Sequence, residues 1–252
     1  MRDRAECVSR LPLVDMQQTR PVRTIALVGP DGSGKTTQAR RLAAELAALG
    51  LPAAYCRNAG GRRWFGRLAA RLGRADADDL LGRRRMLVVE SVLRWLAILR
   101  TLVRRALTGE LTVMDRYAVC QYASLRARAA APAAERRARL AYRLFPPPDV
   151  TVLLTVDPHT AQHRIDTRGY DHETLDYLTA SAAAYRSLPE FGGFVVVNGD
   201  GDPDEVAAAI RSALPPVVPE PAHRARIRAT IMTGGPLLAG VAALGQQLAE
   251  AL

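Results

Sequence analysis

The sequence predicts an α/β protein: a three-layer sandwich with a five-stranded parallel sheet and helices on both faces. Two observations carry this. Short apolar runs recur along the chain, and the segments between them have helical periodicity and enough length to cross back over a sheet. A glycine-rich turn joins the first apolar run to the first helical segment.

Thr24-Ile25-Ala26-Leu27-Val28 is the first run, ended by Gly29-Pro30, as a buried strand would be. Beyond the glycine-rich turn, Leu42, Leu46 and Leu49 set a helical spacing over 36–49 that stops at Gly50. Residues 52–56 read as the second strand. The stretch 57–85 is arginine-rich and loop-like, with a helical patch over 64–72. From Met86 to Leu107 the residues Leu87, Val88, Ser91, Trp95, Ile98 and Leu102 fall on a helix, which Gly109 ends. Leu111-Thr112-Val113-Met114 is a third strand, closed by Asp115. A helical region over 118–144 is interrupted by Pro132, and prolines 146–148 stop it before the strand at 150–156. Asp157 ends that run with Pro158 behind it, which reads as an N-cap followed by a first helical position. Helices over 158–168 and 173–187, a fifth strand over 194–197 and a last helix over 203–213 complete the series.

The pattern divides the chain into a polar leader (1–21), a core domain (22–213) and a tail (214–252). The tail opens on a Pro-rich linker. Leu237, Val241, Leu244 and Leu248 then mark one face of an amphipathic helix, which docks on the core or pairs with another chain such as a homodimer partner.

Composition narrows the function classes. The chain has 252 residues, 48% hydrophobic, with mean hydropathy −0.04, and no apolar stretch long enough for a membrane span. The opening MRDRAECVSR carries acids and no apolar segment, against a secretory signal. Cys7, Cys56 and Cys120 are odd in number and far apart, which suits a reducing cytoplasm rather than a disulfide framework. The net charge of +10 admits nucleic acid, membrane surfaces or phosphorylated small molecules. Of the 35 cations all but one are arginine, and the lone lysine is Lys35, so a compact point charge is expected to matter there. Nine arginines between 57 and 85 have only Trp64 and Phe65 for stacking and are diluted by Asp76, Asp78 and Asp79, which argues against nucleic acid. His159 and His163 share a helix face, but no third ligand accompanies them.

Gly29-Pro30-Asp31-Gly32-Ser33-Gly34-Lys35-Thr36 matches G-x-x-x-x-G-K-[ST] between a strand and a helix, the phosphate loop of P-loop nucleotide-binding proteins. Its glycines turn the backbone tightly and bare N–H groups to phosphate oxygens, and the helix N-terminus adds positive potential. The candidate ATP-binding set is Gly29, Asp31, Gly32, Ser33, Gly34, Lys35, Thr36 and Thr37. Lys35 is expected on the β- and γ-phosphates and the Thr36 hydroxyl on Mg²⁺.

With Asp115-Arg116-Tyr117 after the third strand, and Arg164-x-x-x-Arg168 with Asp171 and Glu173 after the fourth, the sequence resembles the thymidylate kinase family of nucleoside monophosphate kinases. The resemblance spans about residues 23–212 and implies a P-loop NTPase-type fold with an acceptor-side region at 57–107 and a lid at 158–173. It implies that Arg116 grips the acceptor phosphate with Tyr117 beside it, that Arg57 assists, and that Arg94 faces the nucleobase. The same resemblance implies that Arg164 and Arg168 stabilise the transferring phosphoryl group. Asp115 ends an apolar strand, where an acid holds Mg²⁺ or orients the reactants; the other use of such a residue is a helix N-cap. For Arg94 the other use is a solvated helix face.

The chain departs from the family pattern at Asn58-Ala59, where Glu-Pro is usual, and over 120–125. The leading expectation is ATP- and Mg²⁺-dependent conversion of dTMP to dTDP. The alternatives are transfer to another nucleotide or small metabolite, and a nucleotide-binding regulatory module without turnover.

Overall fold

The computed structural model describes residues 22–169 and 173–215. The leader, the tail from residue 216 onward, and Tyr170, Asp171 and His172 of the expected lid lie outside the described residues.

Strand β1 (Thr24–Val28) is central, and all its side chains are buried. It is flanked by β3 (Leu111–Asp115) and β4 (Val150–Thr155), with β2 (Ala53–Arg57) and β5 (Val195–Asn198) at the edges. Every pairing is parallel, in the order β2-β3-β1-β4-β5. The alternation of a strand explains why β1 reads as an unbroken apolar run. Ile25 and Leu27 enter a core with Leu42, Leu46, Val113, Val152, Leu154 and Ile210. Ala26 and Val28 enter the opposite core, with Trp95, Ile98, Met114, Tyr142 and Leu153.

Helices α1 (Lys35–Ala48) and α9 (Pro203–Ala213) supply the first core. The second is built by α4 (Arg83–Thr108), α5 (Ala118–Ala127), α6 (Pro132–Tyr142) and α8 (Leu175–Arg186). A smaller cluster of Val156, Ala161, Ile165 and Leu178 fastens α7 (Pro158–Arg168) to α8. Asp157 caps α7 by accepting from the His159 and Thr160 amides, and Pro132 opens α6.

The stretch at 57–85 is more helical than expected: the patch expected over 64–72 is a helix beginning two residues earlier, and a second helix follows it. It holds α2 (Arg62–Arg71) and a short α3 (Ala77–Leu81), and α4 begins at Arg83 rather than Met86. The apolar period is hidden there by charged first turns. Local signals set the boundaries instead: the Asp76 side chain accepts from the Asp79 amide at 2.8 Å, and Gly82 turns the chain at φ 80°. No described helix is long and apolar enough to cross a membrane.

Leu27 is fully buried between sheet and α1. Leu27→Ala is expected to cost about 2–5 kcal/mol, read as a lower urea midpoint at unchanged slope.

Candidate functional site

The C-terminal ends of β1, β3 and β2 open into a cleft of about 590 Å³, within the usual range for small-ligand sites. The phosphate loop forms one part of it. Gly29 sits at φ 143° where a Cβ would lie 2.3 Å from the Leu154 carbonyl oxygen, and at Gly32 a Cβ would lie 2.6 Å from that of Ala161. Only glycine lets the loop pass between β4 and α7 at this distance. Gly34 hands the chain to α1, which has no side-chain cap and no acid in its first turn, so its N-terminal amides are left for an anion.

Lys35 is 4% exposed and folds back over the loop. Its Nζ donates to the Pro30 carbonyl and, at 3.4 Å, to Ser33 Oγ, and lies 3.8 Å from Asp31 Oδ1. Burial and the Arg116 charge depress its ammonium to about 8, against opposing pulls from Asp31 and Asp115. Thr36 Oγ1 donates to Asp115 Oδ2 at 2.6 Å, and the Tyr55 hydroxyl donates to the same oxygen at 3.2 Å. Asp115 is 1% exposed, and its Oδ1 has no hydrogen-bond partner among the described residues. It is not a helix N-cap, since Tyr117 holds that position on α5. Thr37 lines the cleft, whereas Ser33 is buried beneath the loop.

On the other side of the cleft lie Arg57, Arg94 and Arg116. Arg116 forms an ion pair with Asp31. Burial would raise the Asp31 carboxyl, but the Arg116 and Lys35 charges hold it well below the usual carboxylate range. Arg94 is buried rather than solvated. Its Nη2 donates to Glu90 Oε1 at 2.7 Å and its Nη1 to Gln121 Oε1 at 2.5 Å, so both terminal nitrogens are held by the protein. Gly60 makes this possible, because a Cβ there would fall 2.2 Å from Glu90 Cγ.

Besides Ser33, two expected site residues are not brought into the cleft. Tyr117 is 3% exposed in the core and its hydroxyl donates to the Pro146 carbonyl at 2.6 Å, because the backbone turn at Arg116 points the following side chain inward. Arg164 is taken up by the loop after β5: Nη1 donates to the Gly199 carbonyl at 2.7 Å and Nη2 to that of Asp200 at 2.9 Å. Arg168, one turn later, does line the cleft.

Several residues that line the cleft, or like Tyr55 touch a residue that does, carried no motif. Tyr55 was legible only as a strand residue two positions before Arg57, and so on the same face. Glu90 is four before Arg94, a helix pairing the spacing permits. Arg62, Arg63, Arg67 and Trp64 bring part of the arginine-rich stretch to the cleft. Glu173 is pushed up to about 7 by burial and the Asp31 charge, with Arg128 Nη2 3.6 Å away in opposition. Among the described residues no group of three or more His, Cys, Asp or Glu side chains is arranged to hold a metal.

The Lys35 environment has a measurable consequence. The folded chain releases this proton near pH 8 and a free lysine near 10.5, so between those values the unfolded state holds more protons and stability rises with pH. At pH 7 the buried charge is a net burden. Lys35→Met is therefore expected to raise the melting temperature by several degrees at pH 7, with the gain shrinking as pH climbs from about 8 to 10. Calorimetry of both proteins across pH checks this, and equal stabilities at pH 7 would contradict it.

The family model described as Thymidylate kinase matches residues 27–210. A thymidylate kinase of Xanthomonas campestris pv. campestris (strain B100) is 34% identical over 215 residues, covering 82% of this chain and 87% of that one. Another, from Xanthomonas euvesicatoria pv. vesicatoria (strain 85-10), is 35% identical over 191 residues, covering 72% of this chain and 78% of the relative.

Proposed function

The chain belongs to the thymidylate kinase family, and on that premise we propose that it transfers the γ-phosphoryl group of ATP to dTMP, giving dTDP and ADP. The observation that carries the reading is one cleft lined by the phosphate loop and by Arg57, Arg94 and Arg116, with Asp115 between them in the chain's own hydrogen-bond network. An oxygen of the acceptor phosphate forms a bond to the γ-phosphorus while the bond from that phosphorus to the β–γ bridging oxygen breaks, so ADP carries away the bridging oxygen. No covalent enzyme intermediate is needed, and positioning with charge stabilisation carries the reaction.

Lys35 exchanges its loop contacts for the β- and γ-phosphates, and the α1 amides and loop glycines cradle them. Arg168 of the lid (158–173) neutralises charge on the migrating group, a task Asp31 in the loop cannot perform. Arg116 forks onto the acceptor phosphate and Arg57 adds a second cation. Arg94, fixed by Glu90 and Gln121, faces the base within the acceptor-side region (57–107). The Thr36 hydroxyl and Asp115 would hold Mg²⁺; they are hard oxygen donors, and the buried, unpartnered Asp115 Oδ1 fits that use. When bound, Mg²⁺ supplies neutralisation of phosphate oxygens. The kinase unit is residues 22–213, working in the cytoplasm, where ATP and reduced thiols coexist.

Purified protein with Mg·ATP and a panel of nucleoside monophosphates is expected to release ADP with dTMP at the highest kcat/KM. Lys35→Ala should keep its fold and lose nearly all turnover. A folded Lys35→Ala that retains most of its rate, or a preference for another acceptor, contradicts the assignment.

The same reading includes a homodimer. On α4, Leu96, Leu99, Val103 and Leu107 follow one another at the three- and four-residue steps of a helix-pairing seam, and Leu96 and Leu107 are 48% and 70% exposed. Light scattering is expected to give twice the chain mass for the wild type and a monomer for Leu107→Arg. A monomeric wild type overturns it.

A further inference from the structure

Asp115 and Arg116 are adjacent, and in a continuing strand their side chains would leave opposite faces of the sheet. Both nevertheless line the same cleft. What permits this is the backbone of Arg116, which sits at φ 78°; among the described non-glycine residues only Ala129 shares a positive φ. An arginine has no intrinsic preference for that region, so the surroundings must hold it there.

Three contacts do so. The Arg116 amide donates to the Leu27 carbonyl at 3.0 Å, and its guanidinium pairs with Asp31. Its carbonyl accepts from Asn58 Nδ2 at 2.9 Å. Asn58 is fully buried, and its backbone amide and both ends of its side-chain amide are hydrogen-bonded. Its amide N–H donates to the Asp115 carbonyl at 2.9 Å, extending the β2–β3 ladder by one rung. Its Oδ1 accepts from Thr101 Oγ1 of α4 at 2.9 Å. The Arg116 carbonyl can only accept, so the NH₂ end of the amide faces it, and the oxygen left over is anchored by the Thr101 hydroxyl. The contacts therefore run from the acceptor-side helix, through one buried amide, to the turn that aims Arg116.

We propose that Asn58 is a positioning residue for Arg116: with Thr101 it locks the left-handed turn that brings the acceptor-binding guanidinium into the same cleft as Asp115. The inference rests on the phosphoryl-transfer reading for its kinetic consequence but not for its structural one. It also gives a role to a position at which the chain departs from the pattern of the family it resembles.

The test compares the full-length wild type with Asn58→Ala and with Thr101→Val, the milder change that removes only the hydroxyl holding the amide. With Mg·ATP and dTMP, kcat/KM for dTMP is expected to fall about thirtyfold in Asn58→Ala and about fivefold in Thr101→Val, while KM for ATP stays within about twofold. A merely structural role would lower the melting temperature and leave the balance between the two substrates unmoved. Unchanged dTMP kinetics in a folded variant, or equal losses for both substrates, overturns the proposal. If Asn58→Ala does not fold, Thr101→Val carries the test. If the wild type does not turn over dTMP, the function reading fails separately, and a crystal structure of the folded variant decides the inference. Arg116 shifted from positive φ with its Asp31 pair broken supports it, and an unmoved Arg116 overturns it.

Discussion

Between β4 and α7 there is room for a backbone and nothing more. The Leu154 carbonyl lies where a Gly29 side chain would begin, and Ala161 lies where one at Gly32 would begin. This close approach fixes the height of the phosphate loop above the sheet, and the other parts of the cleft follow from it. The loop delivers α1 with its first amides uncapped, puts Lys35 back over Pro30, and brings Thr36 within 2.6 Å of Asp115 on the neighbouring strand. Parallel pairing of β1 with β3, Leu27 opposite Asp115, completes the match, since the two strands end within one residue of each other.

The electrostatics of the cleft are set by three cations and the acids that face them. Lys35 and Arg116 find a carboxylate in Asp31, and Arg94 is satisfied by Glu90 and Gln121. These internal pairs compensate the buried cations, since an unpaired charge at such depth would be costly. They differ in what they leave available. Arg94 is locked at both terminal nitrogens, which suits a fixed element of recognition. Lys35 and Arg116 share one acid, so an arriving phosphate can compete for them.

Much of this was legible before any fold was known. The phosphate loop was readable because its chemistry is local: glycines, lysine and threonine at set spacing between a strand and a helix. Strand and helix order was legible because β1, β3 and β4 are buried on both faces and read as apolar runs. The region at 57–85 was legible only in part: a helical patch over 64–72 stood out, but α2 and α4 start in charged turns directly after Gly61 and Gly82, so glycine breaks rather than apolar period set where they begin. Arg164 and Tyr117 show a different limit. Each falls in a family motif, yet Arg164 is claimed by carbonyls 35 and 36 residues away and Tyr117 by one 29 residues away.

By itself the sequence determined the α/β class, the order of its elements and the phosphate-binding loop, because these depend on near neighbours and on apolar periodicity. Only the tertiary structure decided which side chains share the cleft. Whether Asp115 and Arg116 face the same way depends on a single backbone angle, and the groups around that angle come from β1, from the phosphate loop, from the end of β2 and, through Asn58, from α4. Those contacts join residues up to 89 positions apart (Leu27 to Arg116), a distance at which no local spacing rule operates.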